Sequence, residues 1–507
     1  MNIFKKTEFG LFWIILSLSM MLLAFPILGY SPFAWIALIP FILVIYNLNV
    51  RKIILYTILG GIWFCVFALS AYFKHMTGWV ILTLVFSVNL TLFAVVAHYF
   101  YKITKPEEIF KRILFNASLY VFMVEYLTTA ELFGIKLHML AYSQYKILPV
   151  IQIADIFGSF GISFLIAFIS IFLAEIINLY LNKESDKEKI KLSYFIIPVL
   201  LIILCLSYGF YKTGKDYTKG DKVKISAIQP DLTQKPAVCK KYRVKFYTEF
   251  LNNRIKKLLY LTGKTFKEEP DLTVWPEVAV PARLKLNKSI SEPLNDFVNE
   301  NGLNLLTGAV ELGSGVIYNS VFLLEPGKGI TGVHSKNTLF PLMEYNPLNC
   351  LLARCENNLS SFTPGNDRTI FDLNGIKFGV LICFESVNSN VARKLVLSGA
   401  QYFIIPADDG WFEKENILKQ HIVEAVFRSI ENRVYSVQAA NTGYSAFIAP
   451  SGKIYRLSSV FTEDILTDYV YADEKESFTI FTNTGDIFVL ICMVIALGIF
   501  ILKKVKK

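Results

Sequence analysis

The sequence predicts a multi-domain membrane protein, in which an α-helical bundle of about eight transmembrane helices accompanies an extracytoplasmic α/β domain. Of the 507 residues, 54% are apolar and only 18% are charged, which is too apolar for an ordinary soluble enzyme. The apolar residues are concentrated at the two ends of the chain, whereas the middle alternates β-rich and helical runs. We therefore divide the chain into a transmembrane bundle of seven spans at residues 1–211, an α/β domain at 222–480 and a C-terminal transmembrane helix at 487–503.

Eight apolar runs with few or no charges are candidate membrane spans. They are residues 11–28, 31–46, 53–72, 78–101, 113–126, 161–181, 192–211 and 487–502. The second and fifth runs are shorter than the roughly 20 residues that an upright helix needs, so a re-entrant segment is the alternative for each. The first run follows two lysines as a signal peptide would, but no small-residue cleavage site follows, so we predict a helix.

Basic residues cluster between these runs, always on the same side of an eight-span count. The clusters lie at residues 5–6, 51–52, 102–112, 183–191 and 503–507. By the positive-inside rule this side is cytoplasmic, so both termini are expected in the cytoplasm and the middle domain outside it. The net charge of +10 then follows largely from topology, and no nucleic-acid partner is expected because the charges form no single basic face.

Six β-rich runs in the middle domain predict strands with buried faces. They are "KVKISAIQP" (222–230), "DLTVWPE" (271–277), "LNLLTGAV" (303–310), "IYNSVFLLEP" (317–326), "FGVLIC" (378–383) and "AQYFIIPA" (400–407). Amphipathic helices are predicted between them, for example over 242–261 and 417–432. This alternation predicts a layered α/β or α+β domain.

Three reactive side chains stand at or beyond the ends of predicted elements. Glu277 follows "LTVWP", Lys336 lies in the loop "HSKNTLFPLMEYNP", and Cys383 ends "FGVLIC". Taken singly, such residues are more often a solvated Glu, a surface Lys and a packed Cys. Together they supply what a thiol needs to attack an acyl carbonyl: a base in Glu277, a nucleophile in Cys383, and in Lys336 a cation for the thiolate and the oxyanion. A backbone N–H just after Cys383 would assist Lys336.

Two other chemistries are disfavoured. A papain-like Cys-His pair would need His334 or His421, and neither lies in a local Cys-protease signature. A zinc site lacks a second Cys/His pair at metal-ligand spacing, although Cys350 and Cys355 form a candidate disulfide in an oxidising compartment.

Two acids, Glu125 and Glu175, fall within or beside the predicted spans. An ionisable group there is a functional candidate, and the alternative is an acid near a helix end or paired inside the bundle.

The sequences around the three reactive residues resemble motifs of the nitrilase superfamily, whose Glu-Lys-Cys triad occurs in the same chain order. The motifs are "VWPE", "KNTLFP" and "LICFES", followed by "ADDGWFEK" (407–414), "QHIVEAVFRSIENR" (420–433) and "AANTGYSAFIAPSGKI" (439–454). The eight spans and "YSQYKILPVIQIADIFGSFGISFLI" (142–166) extend the resemblance, along nearly the full chain, to the bacterial apolipoprotein N-acyltransferase family.

The resemblance implies an αββα sandwich at 222–480, placed in the periplasm, in a multi-pass protein of the bacterial cytoplasmic (inner) membrane. It implies a ping-pong acyl transfer from a phospholipid donor to the α-amino group of the diacylglyceryl cysteine that begins an apolipoprotein. Cys383 would carry the acyl chain as a thioester, Glu277 would be the general base, and Lys336 would stabilise the oxyanion. The accessory residues near the thiol would be Glu344, Glu385 and Phe384. No cofactor or metal ion is expected, and the protein is expected to be a monomer.

The chain departs from the family pattern at three points. Phe384 replaces a frequent Tyr, "FPLME" (340–344) replaces "VPFGE", and "QPDLTQKPAVCKKY" (229–242) lacks an expected Trp. These differences concern substrate preference and loop conformation more than reaction type. Two alternatives remain: a membrane-tethered amidase that uses water as acceptor, and a binding scaffold with an inactive domain. The complete set of base, cation and nucleophile argues against the scaffold.

Overall fold

The computed structural model of the chain describes residues 4, 7–26, 28–69, 76–129, 139–181, 192–232, 243–313, 315–341, 344, 362–411, 415–472 and 478–505. The chain forms two compact units, residues 1–215 with 484–507, and residues 216–483. Cys350 and Cys355, the candidate disulfide pair, lie outside the described residues.

The first unit is helical. Its main helices are α1 (Gly10–Ala24), α2 (Leu38–Asn47), α3 (Val50–Ala68), α4 (Met76–Ile103), α5 (Ile109–Tyr120), α6 (Ala154–Leu181), α7 (Ile196–Thr213) and the C-terminal helix (Ile487–Val505). Within the described part of the chain, five helical segments have the length and hydropathy needed to cross a membrane. They are Val50–Ala68, Trp79–Ile103, Ala154–Leu181, Leu192–Thr213 and Ile487–Val505, while Gly10–Ala24 and Ser31–Asn47 are apolar but shorter.

Helix is present in each of the eight apolar runs, but the two short runs differ from simple spans. Residues 31–46 divide into a 3₁₀-helical turn, Ser31–Trp35, and the ten-residue α2. Residues 113–126 lie in α5 and in the π-helical turn Val121–Tyr126 that continues it. A π turn changes the hydrogen-bond period locally, and an apolar run does not reveal such a change. The count of eight spans therefore stays a prediction.

The two acids predicted within the spans are held by other groups of the bundle. Glu175 is fully buried, and its carboxylate accepts hydrogen bonds from Arg112 Nε at 3.0 Å and Nη2 at 2.8 Å and from the Tyr46 hydroxyl at 2.7 Å. Glu125 Oε1 accepts the backbone N–H of Leu140 at 2.8 Å. Glu175 thus forms a buried ion pair, which matches the structural alternative for this residue.

The described residues of the second unit form two β-sheets. Its strands are β1 (Asp221–Gln229), β2 (Leu272–Val274), β3 (Val280–Arg283), β4 (Leu305–Leu312), β5 (Ile317–Glu325), β6 (Gly329–Ser335), β7 (Ile370–Leu373), β8 (Ile376–Val380), β9 (Tyr402–Ala407), β10 (Tyr435–Ala440), β11 (Ala446–Ile448), β12 (Ile454–Leu457) and β13 (Asp464–Ala472). The first sheet has the order β13-β1-β2-β4-β5-β6, with β3 paired to β4, and the second has the order β12-β11-β10-β9-β8-β7.

The two sheets pack face to face through one apolar core. Val274 and Leu306 of the first sheet belong to the same buried cluster as Val380 and Ile404 of the second. Because each of these side chains is removed from water, the contact between the sheets is a main source of stability for this unit.

Helices cover the outer faces of both sheets. Helix α8 (Arg243–Lys264) and helix α9 (Lys288–Asn301) pack on the first sheet through Leu258 and Leu294. Helix α10 (Ser389–Leu397) contacts β8, and helix α11 (Glu415–Asn432) contacts β10. The four layers form the αββα sandwich that the resemblance implies.

The parallel strands direct several loops to one edge of each sheet. β1, β2 and β4 are parallel in the first sheet, and β8, β9 and β10 are parallel in the second. Residues that follow the carboxyl ends of parallel strands lie near one another. The chain reaches Glu277 after β2, Cys383 after β8 and Asp409 after β9.

Candidate active site

Glu277 is held in a strained turn that follows β2. Trp275 is fully buried and donates its indole N–H to Thr262 Oγ1 at 2.9 Å, which fixes the start of the turn. Val278 has φ 46°, a left-handed conformation that a β-branched residue rarely adopts. Such strain persists only where the surroundings impose it, and it is often found at functional sites.

Gly308 of β4 lets this turn approach the sheet. A β-carbon at residue 308 would lie 2.4 Å from the carbonyl oxygen of Pro276 and 2.5 Å from the backbone nitrogen of Val278. Both are backbone atoms, so rotation of a side chain cannot relieve the overlap. The position of Glu277 therefore depends on the absence of a side chain at residue 308.

We expect Gly308→Ala to shift Glu277 and to lower catalytic activity by at least about tenfold, because small displacements of catalytic groups have large effects on rate. Gly263→Ala in α8 is the matched control, since a β-carbon there would meet no heavy atom within 4 Å. Unchanged activity of Gly308→Ala in a steady-state assay would contradict this account of the turn.

Lys336 follows β6, and its ammonium group lies between two carboxylates. Its Nζ is 2.8 Å from Glu277 Oε1, and 3.0 and 2.9 Å from the two carboxylate oxygens of Glu344. Lys336 is only 2% exposed. Burial alone would lower the pKa of Lys336, but the charges of Glu277 and Glu344 raise it well above its usual range. Lys336 is therefore a fixed cation in this site.

Asn319 of β5 connects these three residues and was not among the predicted site residues. Its side-chain Nδ2 lies 2.7 Å from Glu277 Oε1 and 3.1 Å from Glu344 Oε1. Its backbone carbonyl accepts the backbone N–H of Lys336 at 2.8 Å. The other oxygen of Glu277 accepts the backbone N–H of Asp408 at 3.0 Å. The sequence did contain an indication of this role, because Asn319 is a polar residue on the apolar face of a predicted strand.

Cys383 does not end its strand as predicted. β8 ends at Val380, and Cys383 begins a 3₁₀-helical turn, Cys383–Val387, with φ 48°. This left-handed conformation is unfavourable for a residue with a β-carbon. A prediction from apolar content alone extends the strand to Cys383, whereas the backbone turns sharply at this residue.

The thiol of Cys383 is protonated at rest. Burial raises the pKa of this thiol well above its usual range, the charge of Glu277 raises it further, and Lys336 lowers it. A base is therefore needed before Cys383 can attack. Because the charges of Glu277 and Lys336 both act on the thiol, the structure brings the three predicted residues into one site.

Glu385 links the Lys336 loop to the turn that carries Cys383. Its Oε1 accepts the backbone N–H of Asn337 at 2.6 Å, and its Oε2 accepts that of Ile382 at 2.8 Å. Burial alone would raise the pKa of Glu385, but His334 and these backbone N–H groups lower it below its usual value. His334 Nε2 lies 3.6 Å from Glu385 Oε2. In this structure Glu385 is a buried anion that positions two loops.

Phe384, which replaces the frequent Tyr of the family, packs inside the unit. It is 5% exposed, and its ring centroid lies 4.3 Å from that of Phe340. The backbone N–H of Phe340 donates to Glu344 Oε2 at 2.7 Å. The aromatic contact therefore connects the residue after Cys383 to the loop that carries Glu344.

His421 of α11 lies beside Cys383 but contacts its backbone. The ring Nδ1 is 2.9 Å from Asp409 Oδ1, and Nε2 is 3.1 Å from the Cys383 carbonyl oxygen and 2.9 Å from Ser386 Oγ. Ligand-type atoms of Cys383, Asp409 and His421 lie within 4.8 Å of one another. Both ring nitrogens already have partners, so we interpret the cluster as a hydrogen-bond network around Cys383.

Known proteins match both units of the chain. The apolipoprotein N-acyltransferase N-terminal domain matches residues 17–172, and the carbon-nitrogen hydrolase family matches residues 235–474. The chain is 29% identical to apolipoprotein N-acyltransferase of Geobacter metallireducens, over 94% of this chain and 92% of that protein. It is 26% identical to apolipoprotein N-acyltransferase 1 of Treponema denticola, over 92% of this chain and 90% of that protein.

Among solved structures, an amidase from Nesterenkonia sp. is 14% identical, with a TM-score of 0.39, over 50% of this chain and 92% of that chain. The two family matches lie in the helical unit and in the αββα unit, in the same chain order as the predicted bundle and catalytic domain. The chain belongs to the apolipoprotein N-acyltransferase family and carries a carbon-nitrogen hydrolase domain of the nitrilase superfamily.

Proposed function

We propose that the protein transfers an acyl chain from a membrane phospholipid, through a thioester on Cys383, to the α-amino group of the N-terminal diacylglyceryl cysteine of an apolipoprotein. The observation that carries this proposal is the placement of Lys336 between Glu277 and Glu344, beside a thiol that needs a base. The family of the chain supplies the substrates that this site is proposed to use.

In the first half-reaction, Glu277 removes the proton from Cys383 Sγ, and the thiolate attacks the ester carbonyl carbon of the phospholipid. A C–S bond forms, and Lys336 and the backbone N–H of Phe384 stabilise the oxyanion. The ester C–O bond then breaks. The proton held by Glu277 passes to the departing oxygen, so a lysophospholipid leaves and the acyl chain stays on Cys383 as a thioester.

In the second half-reaction, the α-amino nitrogen of the acceptor attacks the thioester carbonyl. A C–N bond forms, the C–S bond breaks, and Lys336 again stabilises the oxyanion. Glu277 takes the amine proton and returns it to the sulfur of Cys383, which restores the resting thiol. Bonds and protons balance without an oxidant, a reductant or a cofactor.

The membrane arrangement is part of the proposal. We place the protein in the bacterial inner membrane with eight spans and both termini in the cytoplasm, with the catalytic domain at 222–480 in the periplasm and the protein as a monomer. Five helices of membrane-spanning length and the one-sided basic clusters support this topology. A lipid donor and a lipidated acceptor both reside in a membrane, so a catalytic domain joined to spans meets its substrates there.

A single-turnover assay tests the acceptor. Purified protein in lipid nanodiscs would receive a phospholipid with a deuterated acyl chain and a peptide that begins with diacylglyceryl cysteine. We expect N-acylated peptide and lysophospholipid in equal amounts, and no transfer to a control peptide whose amino group is dimethylated. Release of deuterated fatty acid at the same rate with either peptide would overturn the proposal in favour of the amidase alternative.

A further inference from the structure

The hydrogen-bond partners of His421 favour one protonation state of its ring. Nδ1 faces a carboxylate oxygen of Asp409, which is an acceptor, so Nδ1 carries a proton. Nε2 faces the carbonyl oxygen of Cys383 and the hydroxyl of Ser386. The Ser386 hydroxyl itself donates to the Cys383 carbonyl at 2.9 Å, so its oxygen is free to accept from Nε2. All of these contacts are satisfied together when both ring nitrogens donate, that is, when the ring is an imidazolium.

Neither neutral form of the ring satisfies these contacts. With the proton on Nδ1 alone, Nε2 would present a lone pair to the Cys383 carbonyl, and Ser386 would have to turn its hydroxyl away from that carbonyl. With the proton on Nε2 alone, the lone pair of Nδ1 would point at a lone pair of Asp409 Oδ1, which lies 2.9 Å away, and the two would repel each other. The hydrogen bond from His421 Nε2 to the Cys383 carbonyl thus depends on the positive charge of His421.

Asp409 is itself held in place. It is 3% exposed, and a β-carbon at Gly443 would lie 2.3 Å from Asp409 Oδ2, so the backbone of residue 443 lies close against this carboxylate. The groups whose charges or hydrogen bonds act on His421 are Asp409 after β9, Glu424 on α11 and the Cys383 carbonyl. Burial alone would lower the pKa of His421, but these groups, Asp409 above all, raise it to about 9.

The Cys383 carbonyl shares a planar trans peptide with the N–H of Phe384, so the two groups point in opposite directions. Fixing the carbonyl from one side therefore fixes the direction of this N–H on the other. The N–H belongs to the first turn of a 3₁₀ helix, where backbone donors have no partner within the helix. It is the same N–H that would assist Lys336 in binding the oxyanion.

We propose that the His421 imidazolium, oriented by Asp409, is a positioning group that holds the Cys383–Phe384 peptide so that the Phe384 N–H faces the oxyanion of acyl transfer. This inference deepens the proposed function and rests on its thioester chemistry. Its test uses p-nitrophenyl acetate as the acyl donor, so it does not require that a phospholipid be the physiological donor.

The experiment compares two reactions of the same thiol in the full-length protein. Acylation by p-nitrophenyl acetate passes through an oxyanion, whereas alkylation by iodoacetamide does not. We expect His421→Leu to lower the acylation rate by about a hundredfold, the typical effect of losing one oxyanion donor, and to change alkylation by less than about threefold. His421→Gln, which keeps a donor near the position of Nε2, should retain at least about a tenth of the acylation rate.

The pH dependence separates positioning from general structural damage. In the wild-type protein the ratio of acylation rate to alkylation rate should fall as pH rises through about 9, because the imidazolium then loses its proton. In His421→Gln this fall should be absent. Lys419→Gln is the matched control, since this partly exposed lysine lies on the same helix and its side chain pairs with Glu415 at 3.0 Å.

Equal losses of acylation and alkylation in a folded His421→Leu protein, or no loss of either, would overturn the inference. If that variant does not fold, a wild-type ratio that stays constant between about pH 7 and about pH 10 would overturn it as well. A protein that gives the expected ratios with p-nitrophenyl acetate but takes no acyl chain from phospholipid would retain this inference and refute the proposed donor.

Discussion

Cys383→Ala is expected to abolish thioester formation and to lower acyl transfer by more than about a thousandfold, because the reaction loses its nucleophile. Cys383→Ser should be similarly inactive, since a hydroxyl is far harder to ionise than a thiol in the same buried site. Rates of N-acyl peptide formation measure the loss, and intact mass measures the thioester.

The fold should survive this change. Alanine keeps the β-carbon at φ 48°, so the strain of the turn is unchanged, and only a sulfur atom is removed. We expect a small change in unfolding temperature. Cys205→Ala, at another buried cysteine, controls for the loss of a thiol in general and should keep full activity. Normal transfer by Cys383→Ala would show that another residue carries the acyl chain.

Lys336→Met is expected to impair both stability and catalysis. The substitution leaves Glu277 and Glu344 in a buried site without their cation, and breaking a buried ion pair from one side typically costs about 3–5 kcal/mol. It also removes the charge proposed to face the oxyanion, so acyl transfer should fall by at least about a hundredfold. Thermal unfolding and single-turnover kinetics measure the two effects.

Lys328→Met is the matched control, on the same hairpin of β5 and β6. Lys328 pairs with Glu325 at 3.0 Å, but its side chain is 65% exposed, and exposed pairs contribute less than about 1 kcal/mol. Its removal should leave activity and unfolding temperature nearly unchanged. If Lys336→Met behaved like this control, the ammonium group would have neither of the roles assigned to it.

Much of the catalytic unit could be predicted because its strands are short, apolar and bounded by polar residues. The predicted strand at 222–230 corresponds to β1, and that at 317–326 corresponds to β5. Glu277, Lys336 and Cys383 could be selected as candidates because each stands at or beyond the end of a predicted element. The backbone geometry at Cys383 was not predictable, because a left-handed turn in "LICFES" does not alter the pattern of apolar residues.

The hydrogen-bond network around Cys383 was harder to predict from the sequence. Asp409 follows β9, and His421 lies on α11, so their contact with the Cys383 turn depends on how β8, β9 and α11 pack. His421 was considered only as a base for the thiol, and its contact with a backbone carbonyl has no sequence signature. In the bundle, hydropathy located the helices but not their limits, because 3₁₀ and π turns interrupt two of the runs.

In the proposed mechanism, Cys383 carries an acyl chain taken from a phospholipid. The most direct measurement incubates the purified protein with phospholipid alone and examines the intact protein and its peptides by mass spectrometry. We expect an acyl mass on the peptide containing Cys383 that hydroxylamine removes and that is absent from Cys383→Ala. A folded protein with accessible lipid and no adduct on Cys383 would contradict this mechanism.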